Sequence, residues 1–238
     1  MTLNDPRVVR EEYASELGLE GRRAAYRYAT GPDAPQMAFD AVAEVAPRRV
    51  LEVGCGPGEL SARIRDELGA EVVAVDSSPR MVELARGRGL DARLGDVQAL
   101  DLADGEFDCA VAAWMLYHVP DVDRALAELA RVLVPGGRLV AVTNAPDHLR
   151  ELRELLGLRR RTAADPFSGA NGEELLLRHF ARVETRDGAG TIDFPSRDEA
   201  MRYVESSRTL FDSAAELPAF DGGLVVTRHP VVFVAHTA

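Results

Sequence analysis

The sequence predicts an α/β protein of the doubly wound type, with helices on both faces of a mostly parallel sheet. Three observations carry that expectation. Short apolar strands alternate with amphipathic helices between Arg49 and Thr143, the rhythm of βα units in a parallel sheet. The segment 107–113 is apolar almost throughout, as a strand covered on both faces must be. The first strand runs directly into a glycine cluster, Gly54, Gly56 and Gly58, ahead of a helix, and α/β folds receive their ligands at such strand ends.

Taken in order, residues 1–33 read as amphipathic helix with turn signals at Gly18, Gly21 and Gly31-Pro32, and they hold Tyr13, Tyr26 and Tyr28. A helix is expected over 34–46, with Met37, Val42 and Val45 among its apolar positions. Pro47 ends it, because proline disfavours the helical state in the residue before it. Residues 49–53 form the first strand, 59–68 a helix, and 71–75 the second strand, ending at Asp76. A helix over 79–86 has Pro79 in its first turn, where proline fits. Strands over 91–94 and 107–113 follow, then a helix over 122–133 stopped by Pro135-Gly136-Gly137, and a fifth strand over 138–143. After Asn144 the rhythm changes. Helices are expected over 148–158 and 172–179, a strand over 181–194 bent at 188–190, an amphipathic helix over 196–211 with Tyr203 and Phe211 in the core, and a strand over 223–236 broken at Pro230. The expected organisation is one domain in three parts: an N-terminal helical cap segment (1–33), a ligand-binding core (34–145), and a remainder (146–238) that completes the sheet and carries a helical cap.

Composition narrows the function. The chain has 238 residues and a formal net charge of -11, and its 28 basic residues are all arginine. That balance argues against nucleic-acid binding, which draws on a basic face. The absence of lysine excludes a protein Schiff base and a P-loop lysine. Cys55 and Cys109 fit neither a metal-ligand spacing nor a disulfide framework. The polar N-terminus is unlike a signal peptide, and no apolar run reaches the ~18 residues that span a membrane. The expectation is a cytoplasmic protein with no metal.

The glycine cluster is the central feature. Glycines let the backbone turn tightly and approach a ligand closely, and the following helix offers free N–H groups at its start. Asp76, 18 residues after Gly58 at the end of the second strand, is placed to accept hydrogen bonds from ribose hydroxyls. The spacing is G-x-G-x-G, not the G-x-G-x-x-G that cradles a pyrophosphate, and Glu52 precedes it by two residues. A carboxylate there repels a pyrophosphate and suits an ammonium group.

The segment Val50-Leu51-Glu52-Val53-Gly54-Cys55-Gly56-Pro57-Gly58 resembles the first motif of class I S-adenosylmethionine-dependent methyltransferases. Val73-Ala74-Val75-Asp76-Ser77-Ser78-Pro79-Arg80-Met81 resembles their second motif and Gly95-Asp96-Val97 their third. Phe107-Asp108 through Trp114-Met115-Leu116-Tyr117-His118-Val119-Pro120-Asp121 resembles the fourth-strand segment, and Leu133-Val134-Pro135-Gly136-Gly137-Arg138-Leu139 the fifth. The resemblance implies a Rossmann-like, seven-stranded, mostly parallel sheet with a reversed C-terminal hairpin.

It also implies roles. Glu52 faces the methionine end of the cofactor with Gly54, Cys55, Gly56 and Gly58 in the loop alongside. Asp76 binds the ribose, Ser77 and Met81 lie beside ribose and adenine, and Asp96 and Val97 hold the adenine. Ala113 and Trp114 lie near the methionine portion, Trp114 standing where the family commonly has a smaller polar residue. His118 and Tyr117 are the candidates for orienting or deprotonating the acceptor, since an unperturbed histidine titrates near the working pH. Tyr26 and Tyr28 either pack an amphipathic helix or close over the cofactor, Arg27 is a candidate to pair with its carboxylate, and Arg159-Arg160-Arg161 to meet an anionic substrate or form a solvated charge run. The implied activity is methyl transfer from S-adenosylmethionine to a small-molecule acceptor, without metal, nucleic acid or membrane, by a monomer or homodimer. A nicotinamide-dependent oxidoreductase and a non-catalytic S-adenosylmethionine-binding protein stay open as alternatives.

Overall fold

The computed structural model describes residues 4–14, 17–158, 165–206 and 215–238. The N-terminal segment holds α1 (Pro6–Glu12) and α2 (Leu17–Ala25), then a 3-10 turn at Tyr26–Tyr28 and α3 (Ala34–Ala43). The alternating core follows as β1 (Arg49–Val53), α4 (Glu59–Leu68), β2 (Glu71–Asp76), α5 (Pro79–Gly87), β3 (Asp91–Leu94), β4 (Phe107–Ala113), α6 (Val122–Val132) and β5 (Leu133–Asn144). The remainder holds α7 (Arg150–Leu155), α8 (Gly172–Leu176), β6 (Arg182–Asp187), β7 (Gly190–Phe194), α9 (Arg197–Glu205), β8 (Leu224–Arg228) and β9 (Pro230–His236).

Seven strands form one sheet in the order β3-β2-β1-β4-β5-β9-β6. The pairs from β3 to β5 are parallel, and β9 runs antiparallel to both β5 and β6. The strand order reverses between β1 and β4, which opens a crevice at the carboxyl ends of these two strands. Alternate residues pack on opposite faces. On one face Val50, Val111, Val140, Val142, Val232 and Val234 pack under α3 and Ile64 of α4. On the other, Leu51, Val53, Ala110 and Leu139 pack against Leu126 and Leu129 of α6 and Phe167, Leu176 and Phe233. The side chains of Asp33, Ser78, Asp121 and Ser196 accept backbone N–H bonds at the starts of α3, α5, α6 and α9, so local capping chemistry sets where these helices begin.

Two late features differ from the expectation. Pro135-Gly136-Gly137 does not separate helix from strand. α6 passes straight into β5, Leu133 pairs with Phe107, and the Pro-Gly-Gly run makes an irregularity inside the strand before Arg138 pairs with Cys109. The expected long strands 181–194 and 223–236 are each broken in two. β6 and β9 stay in the main sheet while β7 and β8 form a separate antiparallel pair in the same register. The break falls where Gly188 meets Pro230. A Cβ at Gly188 would lie 2.9 Å from Pro230 Cγ and from its carbonyl oxygen, so only glycine lets the ribbon bend here.

Beyond the bend, the β7–β8 ribbon, Leu149, Leu152 of α7, Ala25 and residues Ala200, Tyr203 and Val204 of α9 enclose a second apolar cluster. Ala29 extends this ribbon by a bridge to Ile192. The cap therefore combines the N-terminal segment with the late hairpin, at the carboxyl edge of the sheet. Tyr203 is in this core as expected, while Phe211 and Arg159-Arg160-Arg161 lie outside the described residues.

Candidate active site

At the end of β1 the chain turns through three left-handed residues, Gly54 (φ 63°), Gly56 (φ 55°) and Gly58 (φ 80°). Two of them are also needed for space. A Cβ on Gly54 would come within 2.6 Å of Met115 Cβ, and one on Gly58 within 2.5 Å of Leu90 Cδ1. Gly56 meets nothing within 4 Å and faces open space. The Cys55 N–H donates to the Val75 carbonyl (3.2 Å), tying the loop to β2, and Gly58 caps α4.

Two carboxylates flank this loop, and both are buried. Glu52 on β1 is 3% exposed and Asp76 at the end of β2 is 8% exposed. Glu52 accepts a hydrogen bond from Ser61 Oγ, one turn into α4. Asp76 accepts from the N–H groups of Gly56 (2.8 Å) and Ser78 (2.8 Å). Neither makes an ion pair with a described arginine or histidine. Burial pushes the Glu52 carboxyl up to about 7, opposed by the Ser61 hydrogen bonds and reinforced by the charge of Asp76. Burial also raises Asp76, against the pull of the Ser78, Gly56 and Ser77 N–H groups. The Cys55 thiol between them is raised by burial and by both carboxylates, so it stays protonated and inert.

The other residues singled out in the sequence surround this centre unevenly. Ser77 and Asp96 are exposed, and Asp96 holds the Gln98 N–H and amide (2.9 and 3.0 Å). Met81 and Val97 are buried, Val97 as part of the core beside Val75 and Leu100. Ala113 and Trp114 end β4 on the α3 face. Trp114 takes a left-handed φ of 54° and donates its N–H to Val142 (2.8 Å), extending the β4–β5 ladder to the mouth of the crevice. Leu116–His118 form a 3-10 turn above it, with the Tyr117 and His118 rings 4.4 Å apart.

The sequence reading missed the residue that crosses this crevice. Tyr13, after α1, places its hydroxyl 3.0 Å from His118 Nε2 and its ring edge-on to the imidazole. Its carbonyl accepts from Ser78 Oγ (2.8 Å). Ser78 follows β2 and His118 follows β4, so Tyr13 spans the end of β1, which lies between those strands. Burial raises the Tyr13 hydroxyl to about 12, keeping it protonated. The Glu12–Arg22 ion pair and the Arg22 bond to the Ser206 carbonyl hold this segment, and Arg23 reaches Glu59 at the start of α4. The only sequence cue was the tyrosine-rich N-terminus, and it pointed to Tyr26 and Tyr28. Of these, Tyr28 packs on Phe194 in the cap, the packing alternative of the expectation, and Tyr26 is exposed. Arg27 pairs with Glu199 of α9 (3.0 Å) and stacks on Tyr28, because the cap supplies both partners.

Among the described residues no group of three or more His, Cys, Asp or Glu side chains is placed to hold a metal ion, and no helix is long and apolar enough to cross a membrane. A separate open concavity of about 510 Å³ lies between Gln98–Leu102 and α6. Its Arg131 is already satisfied by Glu128, Asp104 and the carbonyls of Leu100 and Leu102.

Residues 51–141 match the family described as "Methyltransferase domain". The demethylmenaquinone methyltransferase of Thermus thermophilus is 40% identical over 116 residues, covering 46% of this chain and 53% of that protein. The chain thus spans about half the length of the curated relatives it matches. Among solved structures, a methyltransferase of Thermotoga maritima described as a possible histamine N-methyltransferase superposes with a TM-score of 0.61 at 20% identity, covering 96% of this chain and 99% of that one. The 1,6-didemethyltoxoflavin-N1-methyltransferase of Burkholderia thailandensis, solved with bound 1,6-didemethyltoxoflavin and S-adenosylhomocysteine, gives a TM-score of 0.59 at 23% identity, covering 98% of this chain and 88% of that one. These likenesses are of fold. The match to the methyltransferase-domain family covers residues 51–141, under half of the chain, and coincides with the motif-bearing part of the sheet.

Proposed function

We propose that the protein is an S-adenosylmethionine-dependent methyltransferase that methylates an O, N or C atom of a small organic acceptor of secondary metabolism. One observation carries this reading: two buried carboxylates, Glu52 and Asp76, flank a glycine loop with no basic partner among the described residues. Buried charges are costly unless paired, so the crevice is built for a ligand that brings its own positive charge and hydroxyl donors. S-adenosylmethionine fits, and when bound it supplies an activated methyl group on a positively charged sulfur. The same two carboxylates disfavour a pyrophosphate, which counts against a nicotinamide cofactor.

In this reading Glu52 meets the ammonium of the methionine end, beside the backbone of Gly54, Cys55 and Gly56. Asp76 accepts from the ribose hydroxyls, held in position by the Gly56 and Ser78 N–H groups. Ser77, Met81, Asp96 and Val97 border the ribose and adenine, and Ala113 and Trp114 the methionine portion. Tyr13 closes the crevice and excludes water, which favours a step in which charge is dispersed. Holding the acceptor in line behind the methyl supplies much of the rate. His118, with Tyr117 against it, orients the acceptor or takes its proton. The acidic surface fits an acceptor other than nucleic acid, and the reading places the protein in the cytoplasm as a monomer or homodimer.

Calorimetry with S-adenosylmethionine tests the cofactor assignment. Binding that Asp76→Ala abolishes or strongly weakens is expected. No binding, or binding indifferent to that substitution, sinks the reading. Methyl-transfer assays over a panel of small acceptors separate an enzyme from a protein that only binds the cofactor.

A further inference from the structure

The carboxyl end of β5 carries two buried polar side chains that the methyl-donor site does not use. Asn144, the last residue of β5, is 6% exposed, and its Oδ1 is enclosed with no hydrogen-bond partner among the described residues. Arg228, the last residue of β8, is 3% exposed. Its hydrogen bonds go to the Thr30 and Pro32 carbonyls, both from one terminal nitrogen, and its Nε is enclosed without a partner. It makes no ion pair with a described carboxylate. Asp33, next to Pro32, is committed to capping α3.

Register brings the two together. Asn144 pairs with Pro230, and the Ala145 N–H donates to the His229 carbonyl (2.8 Å), so Arg228 lies one step further along the same antiparallel pairing. Asn144 follows Val140 and Val142 on the α3 face, the face to which Glu52 belongs through its pairing with Val111. Trp114, hydrogen-bonded to Val142, stands beside this edge. Asn144 and Arg228 therefore sit at the seam between the carboxyl edge of the sheet and the cap.

Two neutral carbonyls orient a guanidinium but do not neutralise it, and an uncompensated buried charge is destabilising. An amide oxygen sealed without a donor carries its own desolvation penalty. Both deficits are met by one kind of ligand. We infer that Asn144 and Arg228 form the acceptor subsite, and that the acceptor carries a carboxylate for Arg228 and a hydroxyl or amine hydrogen for Asn144. This rests on the methyltransferase reading and adds the charge of the acceptor to it.

The test uses Trp114, the chain's single tryptophan, as a fluorescent reporter in the protein saturated with S-adenosylhomocysteine. Binding of S-adenosylhomocysteine is measured first and by itself, so failure of the cofactor reading shows there. The probes are benzoate, phenylacetate, salicylate and 4-hydroxybenzoate, each beside its uncharged primary amide. At least one carboxylate is expected to bind about tenfold or more tightly than its amide, the usual margin for a hydrogen bond to a charged group. Arg228→Met removes that preference, Arg228→Lys retains part of it, and Asn144→Leu weakens both members of the pair. Should Arg228→Met fail to fold, the wild-type pairs and Asn144→Leu decide. A protein that binds S-adenosylhomocysteine but no carboxylate better than its amide overturns the inference. So does a preference that survives Arg228→Met, or affinities unmoved by Asn144→Leu.

Discussion

Glu52→Gln is expected to stabilise the ligand-free protein while destroying its affinity for the cofactor. In the unfolded chain Glu52 titrates at its ordinary value of 4.5; in the folded protein burial raises it to about 7. Below 4.5 both states hold the proton. As pH rises towards 7 only the folded state keeps it, so the proton's contribution to stability is lost across this window, and above 7 the fold contains a buried carboxylate at full cost. The difference between 4.5 and about 7 corresponds to about 3 kcal/mol. Glutamine cannot ionise and still accepts from Ser61. The variant should therefore match the wild type near pH 4.5 and exceed it by about 3 kcal/mol at pH 8, about 6 to 12 °C in Tm for a chain of this size. Urea denaturation of ligand-free protein at several pH values reads the gap directly. Calorimetry supplies the other half: below pH 7 cofactor binding to the wild type should release a proton, seen as a dependence on buffer ionisation enthalpy, and the variant should show neither the release nor tight binding. Equal stability at pH 8, or a gap that does not open between 4.5 and 7, would refute the argument. A purely structural Glu52 would lose stability on substitution rather than gain it.

Other expectations follow from the geometry around the loop. Tyr13→Phe keeps the ring and deletes the hydroxyl bonded to His118, so S-adenosylhomocysteine should dissociate about fivefold faster, as suits one hydrogen bond of about 1 kcal/mol; stopped-flow fluorescence of Trp114 would measure it, and an unchanged rate removes Tyr13 from the closure. Gly54→Ala places a Cβ 2.6 Å from that of Met115 in a left-handed backbone, whereas Gly56→Ala meets only the backbone strain. The first should lose more stability in urea than the second, which should lose about 1 to 2 kcal/mol. Both thiols are raised by burial, Cys109 to about 12. At pH 8 a thiol reagent should therefore modify neither until the protein unfolds, and rapid labelling of native protein would contradict the described packing.

The sequence made the βα core legible because its signals there are local. The bounds of α4 and β4 and the start of α5 agree with the expectation, since a glycine cluster, a continuous apolar run and Pro79 each act within a few residues. Glu52 and Asp76 were legible for the same reason: both stand at fixed distances from the glycines. What escaped depends on tertiary contact. The ribbon breaks at Gly188 because Pro230 faces it across the pair, 42 positions away in sequence. Tyr13 meets His118 across 105 positions, and among five tyrosines nothing local marks it. Asn144 and Arg228 look like ordinary strand ends in sequence. Only their burial without adequate partners sets them apart.

The three buried charges without an ion-pair partner among the described residues have opposite signs: Glu52 and Asp76 beside the glycine loop, and Arg228 at the proposed acceptor subsite. Before the cofactor binds, the two carboxylates oppose an anionic acceptor approaching Arg228. A positively charged cofactor removes that opposition and adds attraction. A unit charge at a separation on the order of 8 Å contributes about 2 kcal/mol at an effective dielectric of about 20, or about thirtyfold in affinity. S-adenosylhomocysteine lacks the sulfonium charge, so it is the control. A carboxylate probe should bind about thirtyfold more tightly beside a cationic analogue such as sinefungin than beside S-adenosylhomocysteine, and linkage requires the probe to tighten sinefungin by the same factor. Equal probe affinity in the two complexes would show that the acceptor subsite does not sense the donor's charge.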